Sequence, residues 1–207
     1  MKIVAVNGSH RKGKNTATLL RAVLNKAGEL GASTELLELT DYNIKYCLSC
    51  NKCLRQTRCS ITGDDMTVIA EKLLTADGIV LGSPVYWGNV SALMKNFMDR
   101  TRWMHMYKNM LAGKVGAAVT SAGLRNGGQD LVLRIMESYL IGQGLHVVDP
   151  RDPDRPLNFT GVAGSLQGEL NNGQNIWRRS VKEDEAAMLA AGNLGVNMVK
   201  LIRRISS

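Results

Sequence analysis

Strands and helices alternate along this chain of 207 residues. The alternation predicts an α/β fold, a doubly wound, five-stranded parallel sheet in the order 2-1-3-4-5. Three observations carry the expectation. The strand candidates are near-continuous apolar runs, as strands covered on both faces require. The stretches between them carry apolar residues at helical spacing. Several strands also end in glycine-containing polar turns, where an open α/β sheet presents its ligands.

The first strand is Lys-Ile-Val-Ala-Val at 2 to 6, a β-branched run that stops at Asn7-Gly8. Asn15-Thr16 opens a helix carrying Leu19, Leu20, Val23 and Leu24. Thr34 to Leu39 is the second strand, and a cysteine-rich loop follows it. Asp64 and Asp65 then precede Met66, Ile69, Leu73 and Leu74, a helix with acidic residues at its positive end. The third strand begins at Gly78 and runs into Gly82-Ser83-Pro84; Leu93, Phe97 and Met98 mark the next helix. The fourth strand is 114 to 121, its helix lies within 127 to 143, and the fifth strand is 145 to 148. Pro150 to Gln174 has no clear period and reads as a long surface excursion that covers a site or serves assembly. Ser180-Val-Lys-Glu183 reads as a capping box that starts the last helix. One domain therefore spans 1–207, with a core at 1–149 and an extension and final helix at 150–207.

Composition narrows the function classes. Hydrophobic residues at 44% and charged residues at 21% describe an ordinary globular protein. The apolar start of the chain is too short for a signal peptide, and no run of about 18 apolar residues follows, so no membrane association is expected and the location is expected to be cytoplasmic. The net charge of +8 is spread over separate stretches of the chain. A solvated basic surface accounts for it without a nucleic-acid partner.

All four cysteines lie at Cys47, Cys50, Cys53 and Cys59, a C-x2-C-x2-C-x5-C run. Cysteines so close in sequence close only short loops, so disulfides would stabilise little. Structural zinc usually takes two C-x2-C pairs separated by a longer spacer, whereas successive x2 spacings suit a loop around a polynuclear iron–sulfur cluster. Reactive thiols without metal and zinc remain open. Lys45, Lys52, Arg55 and Arg58 would offset a negative cluster or equally activate free thiols.

The loop after the first strand, Gly8-Ser-His-Arg-Lys-Gly-Lys-Asn-Thr16, combines backbone amides, a helix N-terminus, two hydroxyls and several cations. That combination binds phosphate. Gly8-x4-Gly13-Lys14 nearly matches a P-loop, but Asn15 stands where the magnesium-binding hydroxyl belongs and no Walker B aspartate ends the third strand. Ser83 to Asn89, with Pro84, Tyr86, Trp87 and Gly88, offers a surface for a flat ring. Ser121-Ala122-Gly123 offers small side chains beside backbone amides. In a 2-1-3-4-5 sheet these three loops surround one crevice.

Three passages, GSHRKGKNTATLL at 8 to 20, YCLSCNKCLRQTRCSITGDDM at 46 to 66 and GSPVYWGNVSALMKNFMDR at 82 to 100, resemble the flavodoxin-like flavoproteins. The closer resemblance is to the iron–sulfur flavoprotein branch beside the NADPH-dependent FMN reductases. It implies FMN, with Ser9, Arg11, Asn15 and Thr16 around the phosphate, where Lys14 adds a cation. It further implies Pro84, Val85, Tyr86, Trp87, Gly88 and Asn89 along the isoalloxazine, and Ser121, Ala122 and Gly123 on its other side. It implies a [4Fe-4S] cluster on Cys47, Cys50, Cys53 and Cys59, and dimers or tetramers in which cluster and flavin meet across an interface. The expected function is an FMN-dependent oxidoreductase or electron-transfer protein with no catalytic side chain, served by NAD(P)H or by an acidic ferredoxin-like donor. Two alternatives are an NAD(P)H-dependent FMN, quinone or azo reductase without a cluster, and a non-catalytic flavin-binding redox sensor. His10 is expected beside the phosphate, and His105 and His146 at the surface or in packing. Met94, Met98, Met104, Met106 and Met110, with Trp103, are expected in the core or at a dimer contact.

Overall fold

The computed structural model describes residues 1–152, 154 and 161–206. Its main sheet runs β2-β1-β3-β4-β5 in the flavodoxin-like order, with every pairing parallel. The strands are β1 (Lys2–Asn7), β2 (Ser33–Glu38), β3 (Gly78–Pro84), β4 (Val115–Ala122) and β5 (His146–Val147). The β3 strand is buried throughout, and β1 and β4 are buried in all but one residue each. Their apolar runs follow from having helices on both faces.

On one face α1 (Asn15–Glu29) packs against α6 (Glu185–Ile205), joining Leu19, Leu20 and Val23 to Leu194, Met198 and Ile202. The other face is covered by α2 (Met66–Leu74), α3 (Ala92–Arg100) and α5 (Gln129–Gly142), whose Ile69, Phe97 and Met136 share a second core. A short α4 (Arg102–Met106), which the sequence pattern did not reveal, follows α3. Met94 and Met104 are buried, Met98, Met110 and Trp103 pack against the second core, and Met106 is exposed. Among the described residues no helix is long and apolar enough to cross a membrane.

Three expectations need correction. The sheet has six strands, because β6 (Val162–Ser165) pairs with Val119 to Ala122 of β4, while β5 pairs only with Val115 and Gly116. The fifth strand is thus two residues long, and the other half of β4's edge is completed from the supposed excursion. A hairpin of β7 (Gln167–Asn171) and β8 (Gln174–Trp177) begins within that excursion and runs past its end; the expectation for 153 and 155–160 lies outside the described residues. Finally, Ser180 caps a single 3-10 turn at Val181–Glu183, and Asp184 is the residue that caps α6, accepting from the Ala187 amide. Asp184 also accepts from Ser165 N–H, which ties β6 to the start of α6.

Candidate functional site

The crevice at the carboxyl ends of β1, β3 and β4 gathers the sequence-selected residues Ser9, Arg11, Lys14, Asn15, Thr16, Pro84, Val85, Tyr86, Ser121, Ala122 and Gly123. Its geometry starts with two glycines. A Cβ on Gly8 would stand 2.6 Å from Met94 Cβ, and one on Gly82 would stand 2.7 Å from Leu20 Cδ1. Both contacts are far below van der Waals separation, so the first loop can lie against α3 and β3 against α1 only without side chains there. Ser91, the N-cap of α3, locks the loops together: its hydroxyl donates to Gly8 O, its amide donates to Ser83 Oγ, and the hydroxyl accepts from Met94 N–H. Behind the first loop, Asn7 Nδ2 donates to Glu38 Oε2 at 2.5 Å, and Gly13 N–H donates to Glu38 Oε1. This buried pair holds the loop on its strand ends.

The α1 helix begins with Lys14 at its N-cap position, no capping side chain and no acidic residue in its first turn. Its positive end therefore faces the crevice uncompensated. Lys12 is turned away by its pair with Asp41, leaving Arg11 and Lys14 as the cations on the crevice wall. The buried hydroxyls of Thr16 and Ser121 lie 3.1 Å apart on its floor. Asn15 is partly committed elsewhere, since its Oδ1 accepts from Val181 N–H, so its amide nitrogen is the end left for a ligand. Amides at a helix start, hydroxyls and two cations form a phosphate-binding set, and the donors present fit an FMN phosphate.

Trp87, Gly88 and Asn89 do not line the crevice. Tyr86 and Asn89 exchange two backbone hydrogen bonds of 2.9 and 3.0 Å, and Trp87 and Gly88 between them have φ of 53° and 68°. Together they make a two-residue turn of the I′ kind, which leaves Trp87 fully exposed at the crevice's rim. The exposed His10 ring lies 6.0 Å from that of Tyr86 rather than against a carboxylate or a second histidine. Sequence reasoning missed Leu166, which completes the lining; its N–H reaches Ala122 O, a contact that only the β4–β6 pairing creates. Asn7 and Glu38 were also missed, because nothing local signals that two strand ends will meet.

The cysteine loop lies at the other end of α3. Its neck is closed by Asn43 N–H on Asp65 Oδ2, Lys45 N–H on Asp64 Oδ2, and Lys45 Nζ on Thr62 O. Asp64 and Asp65, read as charges at a helix start, are thus clasps for this loop. Arg100, the last residue of α3, pairs with Asp64, both side chains being 1% exposed, and donates to Lys45 O at 2.6 Å. Burial works against both charges, but the mutual hydrogen bond and Coulombic attraction prevail, holding the Asp64 carboxyl below and the Arg100 guanidinium above their ordinary values.

All four cysteines are free and line one hollow with Arg100, Arg102 and Trp103. The hollow encloses about 20 Å3, against about 100 Å3 for the crevice. Among the described residues no three His, Cys, Asp or Glu side chains stand close enough to hold one metal ion. A polynuclear cluster asks instead for one cysteine per iron, and the donor chemistry suits it. Ser49 and Asn51, on either side of Cys50, are left-handed with φ of 49° and 58°, the kind of turn that aims backbone amides inward at an anion. The Cys50 thiol is lowered by the Ser60 hydroxyl at 3.1 Å and by the Lys52 amide. Among the described residues the buried Nε–H of Arg100 and Nε1–H of Trp103, both side chains of the hollow's wall, have no acceptor; leaving such a group unpaired costs about 1–3 kcal/mol. Between 46 and 61 the loop's own backbone hydrogen bonds are two, Leu54 N–H to Asn51 O and Arg55 N–H to Lys52 O, so the loop can part around a larger group. Cys47 also borders a wider depression with Arg102, His105, Tyr139 and Gln143, where burial raises the Tyr139 hydroxyl pKa.

Comparisons with known proteins agree with this layout. An iron–sulfur flavoprotein of Methanocaldococcus jannaschii is 36% identical over 205 residues, covering 99% of both chains. An NAD(P)H dehydrogenase (quinone) of Trichlorobacter lovleyi is 30% identical, covering 68% of this chain and 69% of its own. Among solved structures, RosB with a bound 8-demethyl-8-formylriboflavin-5'-phosphate superposes with a TM-score of 0.72 at 16% identity, covering 100% of this chain and 80% of RosB; that likeness is one of fold. Residues 1–152 match the NADPH-dependent FMN reductase family. The chain therefore belongs to the NADPH-dependent FMN reductase family of flavin-dependent oxidoreductases, within its iron–sulfur flavoprotein group.

Proposed function

We propose that this protein is an electron-transfer flavoprotein that holds FMN in the crevice and a [4Fe-4S] cluster in the Cys47–Cys59 loop. The observation that carries the reading is the attachment of both sites to one helix: Ser91 at the start of α3 fastens the crevice loops, and Arg100 at its end fastens the cysteine loop. Nine residues of helix span about 13 Å, so one element sets the separation of the two sites. When bound, FMN supplies the hydride and electron chemistry and the cluster supplies single-electron exchange.

The chain's own groups then bind and orient. Arg11, Lys14, the Ser9 and Thr16 hydroxyls and the first-turn amides of α1 hold the phosphate. Pro84, Val85 and Tyr86 flank the ring on one side and Ser121 to Gly123 on the other, with Leu166 excluding water. Lys52, Arg55 and Arg58 on the cysteine loop steer an acidic ferredoxin-like donor toward it, and the exposed Trp87 rim makes a contact in a homodimer or homotetramer. The test is an anaerobic absorption spectrum before and after dithionite, with iron and acid-labile sulfide analysis. Expected are a bleachable flavin spectrum with underlying cluster absorbance, and about four irons for each FMN. Stoichiometric flavin without iron after reconstitution overturns the cluster and leaves an NAD(P)H-dependent flavin or quinone reductase. The similarity to an NAD(P)H dehydrogenase (quinone) supports that second reading. NAD(P)H oxidation by the iron-free protein would support it, and reduced flavin that passes electrons to no acceptor would point to a redox sensor.

A further inference from the structure

Among the described residues two buried side-chain N–H groups lack an acceptor, Arg100 Nε and Trp103 Nε1. Both belong to side chains that line the hollow shared by Cys47, Cys50, Cys53 and Cys59. The rest of the Arg100 guanidinium is accounted for. One terminal nitrogen serves Lys45 O and Asp64, and the other serves Asp64 Oδ1 at 3.4 Å and Cys59 Sγ at 3.8 Å. Trp103 sits three residues beyond Arg100 and is packed against the core by its ring. Its apolar body needs no polar handle for that packing, so a phenylalanine would fill the same role. A buried indole N–H ordinarily finds a partner, and a buried N–H without one is rare.

We propose that Arg100 Nε–H and Trp103 Nε1–H are hydrogen-bond donors to the sulfurs of the cluster in the Cys47–Cys59 loop, and that they raise its reduction potential. The inference rests on the cluster reading above. Reduction adds negative charge that is spread over the inorganic and thiolate sulfurs, and a donor aimed at sulfur stabilises the reduced form more than the oxidised one. The Cys59 contact of Arg100 already shows the guanidinium within reach of a ligand sulfur. The site thus differs from a cysteine loop wrapped by backbone amides alone, since two donors come from the end of α3 and from α4.

The full-length protein, purified anaerobically, is compared with Trp103→Phe and Arg100→Lys. Trp103→Phe removes the N–H with the pyrrole half of the indole, keeps a six-membered aromatic ring and leaves the Asp64–Arg100 clasp untouched, so it carries the test even if Arg100→Lys folds poorly. Iron and acid-labile sulfide per chain are measured first, then the midpoint potentials of cluster and flavin by spectroelectrochemical titration, with electron paramagnetic resonance of the reduced cluster. Expected are wild-type iron and sulfide in Trp103→Phe, a cluster potential moved to more negative values in each variant, and an unmoved flavin potential. Cluster potentials equal to wild type, or shifts of flavin and cluster together, overturn the assignment while leaving the cluster reading intact. A wild-type protein that takes up no iron on reconstitution overturns the cluster reading, and this assignment with it.

Discussion

The crevice and the cysteine hollow are fastened to opposite ends of α3 by different means. Around the crevice the bonds lie inside the fold: Val85 N–H reaches Ser121 O across β3 and β4, Thr16 meets Ser121, and Ser91 joins Gly8 to Ser83. Each of these depends on strands that are almost wholly buried. The hollow instead hangs from a neck, the buried Asp64–Arg100 pair and the Asn43 and Lys45 amides, while Cys47 and Cys50 are exposed. A site built from sheet ends has its shape before any ligand arrives. A site on a pinned loop takes part of its shape from what it holds, and its stability is linked to that group by mass action.

The largest effect that would test this contrast is the separation of the two proposed cofactors. Cys50→Ser should abolish iron content while FMN stays at wild-type stoichiometry, as read by metal analysis and by flavin absorbance after denaturation. Joint loss of flavin and iron would break the contrast, because it would mean that the crevice depends on the loop.

Next comes the neck. Asp64→Asn leaves the Arg100 charge buried without its counter-ion, and breaking a buried pair from one side costs about 3–5 kcal/mol, a large share of a typical domain's 5–15 kcal/mol. The pH dependence has a definite sign. The Asp64 carboxyl is held below its ordinary 3.8 by Arg100 and the Lys45 amide against the opposing effect of burial. Its contribution is therefore complete above the unfolded-state value and is lost as pH falls through the lower folded-state value. Thermal melts should show a wide gap between wild type and Asp64→Asn at neutral pH, narrowing as the solution is acidified below about pH 4. A gap independent of pH would show that the ion pair contributes little.

A smaller effect is expected at the crevice, where the fold has no slack. Gly8→Ala places a methyl against Met94 Cβ at 2.6 Å, an overpacking that costs about 1–3 kcal/mol. Because Gly8 O also accepts from the Ser91 hydroxyl, the displaced loop should hold FMN more weakly while iron content is kept. Titration of the apoprotein with FMN checks this. Lowered iron in Gly8→Ala would show that α3 transmits strain from one site to the other.

The crevice was largely legible in the sequence because its parts are local. Strand, turn and helix N-terminus follow one another at Val6 to Thr16, and apolar runs mark β3 and β4 directly. What escaped was non-local or weakly patterned. The Val162-Ala-Gly-Ser165 strand has no alternation and gains its place only by meeting β4 where the two-residue β5 stops. Leu166 entered the crevice with it. Aromatic content says nothing about backbone handedness, so the left-handed turn at Trp87 and Gly88 that leaves the indole exposed at the rim was not legible. The cysteine spacing announced a site, but not that Arg100, 41 residues after Cys59, would close it. A buried ion pair between distant segments has no periodicity to betray it.

The smallest expected effect concerns the crevice's rim, and it separates stability from function. A bulky residue with φ of 53° is an outlier, and such strain costs on the order of 1–3 kcal/mol. Asparagine before glycine is the preferred pair for a two-residue I′ turn, so Trp87→Asn should stabilise the fold by about 1 kcal/mol, or raise Tm by about 2–4 °C for a chain of this size. Among the described residues its fully exposed side chain gains no packing to offset that strain. The proposed contact outside the protomer, or a place over the crevice mouth, would give that strain a use. Trp87→Asn should therefore melt higher yet have a more accessible flavin or a weaker oligomer, read by iodide quenching of flavin fluorescence and by sedimentation. A higher Tm with both properties unchanged would leave the exposed indole without either role, and the rim would then be no part of the site.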